Sequence, residues 1–204
     1  DIRGIIDDGI KFEVASICIP PCYVKRASEY AGGRVKITTV IGFPHGNETT
    51  DTKVFQAQCA IKDGAEEIDM VINIGEIKSG NEEYVLNEIR KVREVTENHI
   101  LKVIIETCLL TEKEKVAACN IVSSSGADYI KTSTGFSAGG ATLEDIILMK
   151  ENISPDLKIK AAGGIKSLED AEVFIGLGAD RLGTSRIVSI CKNLEQRGEY
   201  ESDN

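Results

Sequence analysis

The chain has 204 residues, 42% of them hydrophobic, enough for one sizeable domain with a full core. A formal net charge of −9 argues against nucleic acid or an anionic membrane as a partner. No apolar run approaches the roughly 20 residues a membrane helix needs, and no signal peptide is expected ahead of the first helix. The six cysteines are scattered without a CxxC pair, which reads as reduced thiols of a cytoplasmic protein rather than disulfides or a zinc site.

Ile2, Ile5, Ile6 and Ile10 recur at helical spacing, so residues 1–11 are predicted to be helical. Residues 14–19 read as a strand, and Pro20-Pro21 opens a helix to about residue 30. The β-branched run 35–41 ends in the loop Gly42-Phe43-Pro44-His45-Gly46, and Thr50 or Asp51 caps the next helix. A strand at 68–72 is followed by an irregular piece, 73–80, and Asn81 caps a long charged helix. Residues 101–106 form the next strand. Thr111 with Glu114 makes a capping box for helix 111–125. The strand 127–133 has a lysine in its middle, and a helix starts at Thr142. Strand 158–162, the turn Gly163-Gly164, helix 167–177, strand 181–184 and a last helix complete the order. The polar tail 197–204 is expected to be loose.

Strict alternation of strand and helix means a parallel sheet with helices outside it, in one domain spanning 1–204. A doubly wound sheet and a (β/α)8 TIM barrel both fit. Lysines in the middle of three successive strands, Lys102, Lys131 and Lys160, favour the barrel, where alternate residues point at the axis and polar groups can converge. A barrel needs eight strands and the sequence offers seven, so the first strand is expected to be missing from this chain. Gly-Ala-Asp/Glu recurs before three strands, at 64–66, 126–128 and 178–180, as expected of similar helix-to-strand turns.

Lys131 is a candidate nucleophile. At an ordinary pKa of ~10.4, about one molecule in ~2,500 carries the free amine at pH 7, and reaching ~7 takes roughly 4–5 kcal/mol. A second ammonium at ~4 Å would supply about 4 kcal/mol at an effective dielectric of ~20, and Lys160 on the adjacent strand is placed to do so. The alternative is a structural ion pair of Lys131 with Glu106 or Asp69. Asp69 is either a buried counter-ion or a proton carrier. Lys102 could face the site or lie with its head in solvent at the barrel base. Cys18, near a strand end, could lie by the site or be a buried structural thiol. His45 and His99 are too isolated to build a metal site. Gly163-Gly164 and Gly183-Thr184-Ser185 follow the last two strands, where barrels hold phosphate on backbone N–H groups, and Ser185 could also cap the final helix.

Tyr129-Ile130-Lys131-Thr132-Ser133-Thr134-Gly135 resembles the Schiff-base segment of the deoxyribose-phosphate aldolases, class I aldolases on a (β/α)8 barrel. Glu67-Ile68-Asp69-Met70-Val71, Lys160-Ala161-Ala162-Gly163-Gly164-Ile165 and Arg181-Leu182-Gly183-Thr184-Ser185 support it, and the likeness runs from about residue 4 to 194. The resemblance implies that Lys131 forms the imine, Lys160 depresses its pKa and Asp69 relays protons. It implies that Gly135, Gly163, Gly164, Gly183 and Ser185 hold the phosphate, with Lys102 and Cys18 near the substrate. The family's first barrel strand, with an Asp-Xaa-Thr segment, has no counterpart here, and Ala161 stands where some members have proline. The implied reaction is reversible cleavage of 2-deoxy-D-ribose 5-phosphate, with no metal or cofactor and with a homodimer as the candidate assembly. Another Schiff-base aldolase, a sugar-phosphate isomerase or a non-catalytic sugar-phosphate binder are the alternatives.

Overall fold

The computed structural model describes residues 2–197. Seven parallel strands lie side by side in the order of the chain. They are β1 (Ile17–Cys18), β2 (Ile37–Ile41), β3 (Glu67–Val71), β4 (Ile100–Ile104), β5 (Tyr129–Lys131), β6 (Lys158–Ala162) and β7 (Arg181–Gly183). Helix α1 (Ile2–Lys11) precedes β1, and α2 (Val24–Ala31) and α3 (Thr50–Lys62) follow the first two strands. After β3 come α4 (Ile74–Lys78) and α5 (Glu82–Val95); α6 (Glu112–Ser123), α7 (Leu143–Asn152), α8 (Leu168–Gly176) and α9 (Ile187–Arg197) follow the remaining strands.

Each crossover between neighbouring parallel strands takes the same hand, so all the helices fall on one face and the sheet curls toward the other. The curl is measurable in side chains. In a flat sheet β3 and β7 would stand about 19 Å apart, at ~4.8 Å per strand. Yet Arg181 Nη1 on β7 donates to Glu67 Oε2 on β3 at 2.6 Å. Among the described residues β1 pairs only with β2, and β7 only with β6. The seven strands therefore form a curled, incomplete barrel.

Alternation along the strands sorts the side chains. Ile68, Met70, Leu101, Val103, Ile130 and Ile159 are fully buried in the hydrophobic core. That core also contains Ala57, Ile89, Val92, Ala118 and Met149 from the helices. Each such Ile, Leu, Val or Met side chain contributes ~1.5–3 kcal/mol by leaving water. Glu67, Asp69, Lys102, Lys131 and Lys160 occupy the opposite register and converge inside the curl.

The Gly-Ala-acid repeat has one physical purpose at each of its occurrences. Its glycine takes a positive φ, +103° at Gly64, +83° at Gly126 and +110° at Gly178. The acid then binds the start of the preceding strand twice. Asp128 N donates to Leu101 O at 3.0 Å, and Leu101 N donates to Asp128 Oδ2 at 2.8 Å. Asp180 exchanges the same pair with Ile159, and Glu66 with Ile37. The N–H groups at the strand starts are thus satisfied by acids from the entrance to the next strand, 29, 27 and 21 residues further along the chain.

Several local expectations are corrected. Residues 73–80 are not irregular: Asn73 accepts from Glu76 N at 3.2 Å and starts α4. Thr49, rather than Thr50 or Asp51, caps α3 by accepting from Thr52 N. Asn81 makes no side-chain cap for α5, because its amide donates to Glu76 instead. The capping box at Thr111 and Glu114 forms, and so does another at Ser167 and Asp170. Arg197 belongs to α9, and the rest of the expected loose tail lies outside the described residues.

A buried ion pair ties the loop after β2 to the end of β3. Lys53 Nζ donates to Glu88 Oε1 at 2.8 Å, to Gly46 O at 2.8 Å and to Val71 O at 2.9 Å. Glu88 Oε2 accepts from Asn73 N at 3.1 Å. Gly46 has no room for a side chain, since a Cβ would lie 1.9 Å from Ile72 O.

Candidate active site

Inside the curl, one carboxylate gathers three ammonium groups. Asp69 Oδ2 accepts from Lys131 Nζ at 2.7 Å and from Lys160 Nζ at 2.9 Å, while Asp69 Oδ1 accepts from Lys102 Nζ at 2.7 Å. Strand register explains the meeting. Asp69 pairs with Lys102 across β3 and β4, and Lys131 pairs with Lys160 across β5 and β6. Asp69 and Lys102 are fully buried, and Lys131 and Lys160 keep only 6% and 5% exposure. Of the two carboxylates open to Lys131 from sequence, Asp69 takes it.

Lys102 does not sit in solvent at the barrel base. Its ammonium bridges Asp69 Oδ1 and Glu67 Oε2, the latter at 2.6 Å. Glu67 Oε2 also accepts from Thr38 Oγ1, Ser16 Oγ and Arg181 Nη1. This lower cluster holds the Lys102 ammonium against Asp69 Oδ1, on the side of the carboxylate away from Lys131 and Lys160. Glu67 and Arg181 lie in segments that carry the family resemblance, but they are 114 residues apart and no spacing rule links them.

The electrostatics follow from the shared carboxylate. Burial alone would raise the Asp69 carboxyl, but Lys131, Lys160 and Lys102 outweigh it and hold it well below the usual range. Burial disfavours both ammonium groups. At Lys160, burial and the charges of Lys131 and Lys102 prevail over Asp69 and bring the pKa down to about 8. At Lys131, Asp69 more than offsets burial, and the pKa lies above its ordinary value. The expected lowering of Lys131 by Lys160 is thus not what the resting arrangement gives. Both amines rest on one oxygen, a convergence of residues 62 and 91 positions away from Asp69 that no local spacing encodes. Here Lys160 is the first to lose its proton, and Asp69 touches both nitrogens between which a proton would pass.

Cys18 is exposed at the sheet edge. Crowding from the barrel side and the charge of Asp69 push its thiol up, so it is held as a neutral thiol.

Glycines shape the mouth above the amines. Gly135, Gly163 and Gly164 have φ of +88°, +77° and +83°. The loops after β5 and β6 interlock, with Ala141 N donating to Ala162 O at 3.0 Å and to Gly163 O at 3.2 Å. A Cβ on Gly140 would stand 2.5 Å from the Gly163 carbonyl carbon, a constraint the sequence reading did not find. Gly183 makes space for the lysine: a Cβ there would lie 3.3 Å from Lys160 Cε and 3.0 Å from Ala162 Cβ. Ser185 is exposed and does not cap α9; Thr184 Oγ1 accepts from Arg186 N instead. No group of three or more His, Cys, Asp or Glu side chains suited to a metal occurs among the described residues. No helix among them is long and apolar enough to cross a membrane.

Buried amines over a carboxylate, inside a curled parallel sheet, are the equipment of an enzyme that acts on carbonyl groups. Comparison with known proteins is specific about which. The model of the DeoC/LacD family aldolases matches residues 1–179. The deoxyribose-phosphate aldolase of Streptococcus agalactiae is 56% identical over 201 residues, covering 98% of this chain and 90% of that protein. Among solved structures, the aldolase QR15 superposes with a TM-score of 0.91 at 40% identity, covering 97% of this chain and 89% of that one. The tetrameric deoxyribose phosphate aldolase of Aeropyrum pernix gives 0.86 at 29% identity, over 95% and 84% of the two chains. The chain belongs to the DeoC/LacD aldolase family.

Proposed function

We infer that the protein is a deoxyribose-phosphate aldolase, cleaving 2-deoxy-D-ribose 5-phosphate reversibly to acetaldehyde and D-glyceraldehyde 3-phosphate through an imine on Lys131. The observation that carries the reading is the contact of Lys131 and Lys160 with one Asp69 oxygen. It supplies a nucleophilic amine, a second amine to take its proton and a carboxylate between them.

In this reading neutral Lys160 accepts a proton from Lys131 by way of Asp69. The Lys131 amine adds to C1 of the open-chain sugar, and the proton held by Lys160 returns to the carbinolamine hydroxyl, which leaves as water and gives a protonated imine. The now neutral Lys160 amine takes the 3-hydroxyl proton by way of Asp69, to return it later to the enamine carbon, and the C2–C3 bond breaks, its electron pair moving onto C2 as an enamine while C3 becomes the aldehyde carbon of glyceraldehyde 3-phosphate. Protonation of the enamine carbon restores the imine, and water releases acetaldehyde and the free lysine. The positive nitrogen acts as the electron sink throughout.

The phosphate belongs at the mouth, against Gly135, Gly163, Gly164 and Ser185. The N–H groups of Gly135, Gly164 and Ser185 have no partner among the described residues, which suits an anion. Gly183 contributes by leaving room for Lys160. One domain spans the chain. A cytoplasmic location is supported by six free cysteines, and a homodimer remains the assembly to test by light scattering.

The test is to trap the imine. Acetaldehyde with sodium borohydride should add one ethyl group and abolish turnover, and peptide mapping should place it on Lys131. Lys131→Arg should prevent the adduct, because a guanidinium stays protonated. An adduct on Lys160, or full turnover in Lys131→Arg, would exchange the roles of the two lysines.

A further inference from the structure

Glu106 is a buried carboxylate that the chemistry above does not use. It is 1% exposed, just beyond the end of β4, and its backbone is left-handed at φ +52° although it is not glycine. Strain of this kind persists only where the surroundings require it. Here they are backbone bonds on either side, Ile105 N to Lys131 O at 3.0 Å and Thr107 N to Thr132 O at 2.9 Å.

Between those bonds the Glu106 side chain continues the pairing of β4 with the segment after β5. Glu106 Oε1 accepts from Thr134 N at 3.1 Å, and Glu106 Oε2 accepts from Thr134 Oγ1. The same hydroxyl accepts from Phe136 N at 3.1 Å. Two of three successive N–H groups are therefore consumed within the loop. The third, on Gly135, has no partner among the described residues. A Cβ on Gly135 would meet nothing within 4 Å, so that face of the loop is open.

We propose that Glu106 is a positioning residue for the phosphate end of the substrate: by gripping Thr134 at both its N–H and its hydroxyl, it fixes the loop that presents the Gly135 N–H. The proposal rests on the reading of Gly135 as a phosphate contact. A carboxylate suits the task because it offers two acceptor oxygens to two donors of one residue. The left-handed backbone lets a residue at the strand end turn its side chain onto the neighbouring loop.

The measurement is a selectivity ratio, kcat/KM for 2-deoxyribose 5-phosphate divided by kcat/KM for 2-deoxyribose. Glu106→Ala removes both grips and should lower the ratio at least about tenfold. Glu106→Gln should recover most of it, since its oxygen can accept from Thr134 N and its amide can donate to the hydroxyl. Thr134→Val, which keeps the N–H contact, should fall between, and it decides the matter with Glu106→Gln if the alanine variant does not fold. Acetaldehyde trapping on Lys131 in each variant reports separately on the amine. An unchanged ratio, equal loss on both sugars, or a Gln variant as impaired as the Ala variant overturns the proposal. A wild-type enzyme with no preference for the phosphorylated sugar overturns the functional reading itself, and the role of Glu106 with it.

Discussion

Lys131 and Lys160 place their amine nitrogens on the same oxygen of Asp69, at 2.7 and 2.9 Å. Two ammonium groups sharing one acceptor give up their first proton easily, and the loss belongs to the pair. With Lys160 at about 8, the singly protonated pair becomes the main form as pH rises through that value. We expect kcat/KM to climb with pH, half-maximal near pH 8 and levelling off about a unit above it. In Lys160→Leu the rise should move upward by at least about one unit, because Lys131 is left alone with Asp69. A pH–rate profile that keeps its position in the variant would reduce Lys160 to a structural part.

Acid stability should report on the lower cluster. Burial would raise the Glu67 carboxyl, but Lys102 and Arg181 outweigh it and hold it at about 2, against 4.5 ordinarily. A carboxyl lowered on folding stabilises above its unfolded pKa and loses that contribution as pH falls through its folded one. Glu67 should contribute roughly 3 kcal/mol at neutral pH, lost between about pH 4.5 and 2. Asp69 acts in the same direction. Urea unfolding at pH 7 and pH 3 should show a smaller difference in Glu67→Gln than in the parent. An equal pH dependence in both would remove Glu67 from the account.

Lys53 and Glu88 offer a test of the scaffold. Both side chains are fully buried, so removing one partner strands the other. Lys53→Met should cost about 3–5 kcal/mol in a denaturant titration, and Lys53→Met with Glu88→Leu should recover a large part. A double variant as unstable as the single one would mean that the Lys53 contacts to Gly46 and Val71, rather than its charge, matter most.

At the mouth, Ser185→Glu is the cleaner probe of the phosphate. Gly164 sits at φ +83° with a would-be Cβ 3.1 Å from Ala141 O, so any side chain there also strains the loop. Ser185 is exposed and bears no such constraint. A carboxylate at 185 should raise KM for 2-deoxyribose 5-phosphate about tenfold or more by repelling the dianion. Acetaldehyde, which has no phosphate, should still be trapped on Lys131. Unchanged KM would move the phosphate elsewhere.

Much of this was legible in the order of residues. Strand–helix alternation left two architectures open, and the mid-strand lysines favoured the barrel, because side chains from three successive strands can converge on one axis there instead of pointing into separate helix layers. The capping boxes at Thr111 and Ser167 are local and could be read directly. What escaped depends on distance along the chain. Lys53 lies 35 residues from Glu88, and Glu106 lies 28 from Thr134, so no spacing rule links them. The sharing of Asp69 was hidden for the same reason, and with it the direction in which Lys131 is shifted. The helix after Asn73 was missed because Ile74–Lys78 is only five residues long.

The acids at 66, 128 and 180 close the turns that enter β3, β5 and β7, while Asp69, Lys131 and Lys160 lie further along their strands and face the inside of the curl. Architecture and chemistry are therefore written into separate stretches of the same units. A lineage could exchange the loops beyond β5, β6 and β7, and so change what is bound, without disturbing the latches that order one unit against the next. The converse also holds. Damage to a latch would loosen the register between neighbouring strands, and Lys131 and Lys160 would lose their common oxygen although neither had been touched.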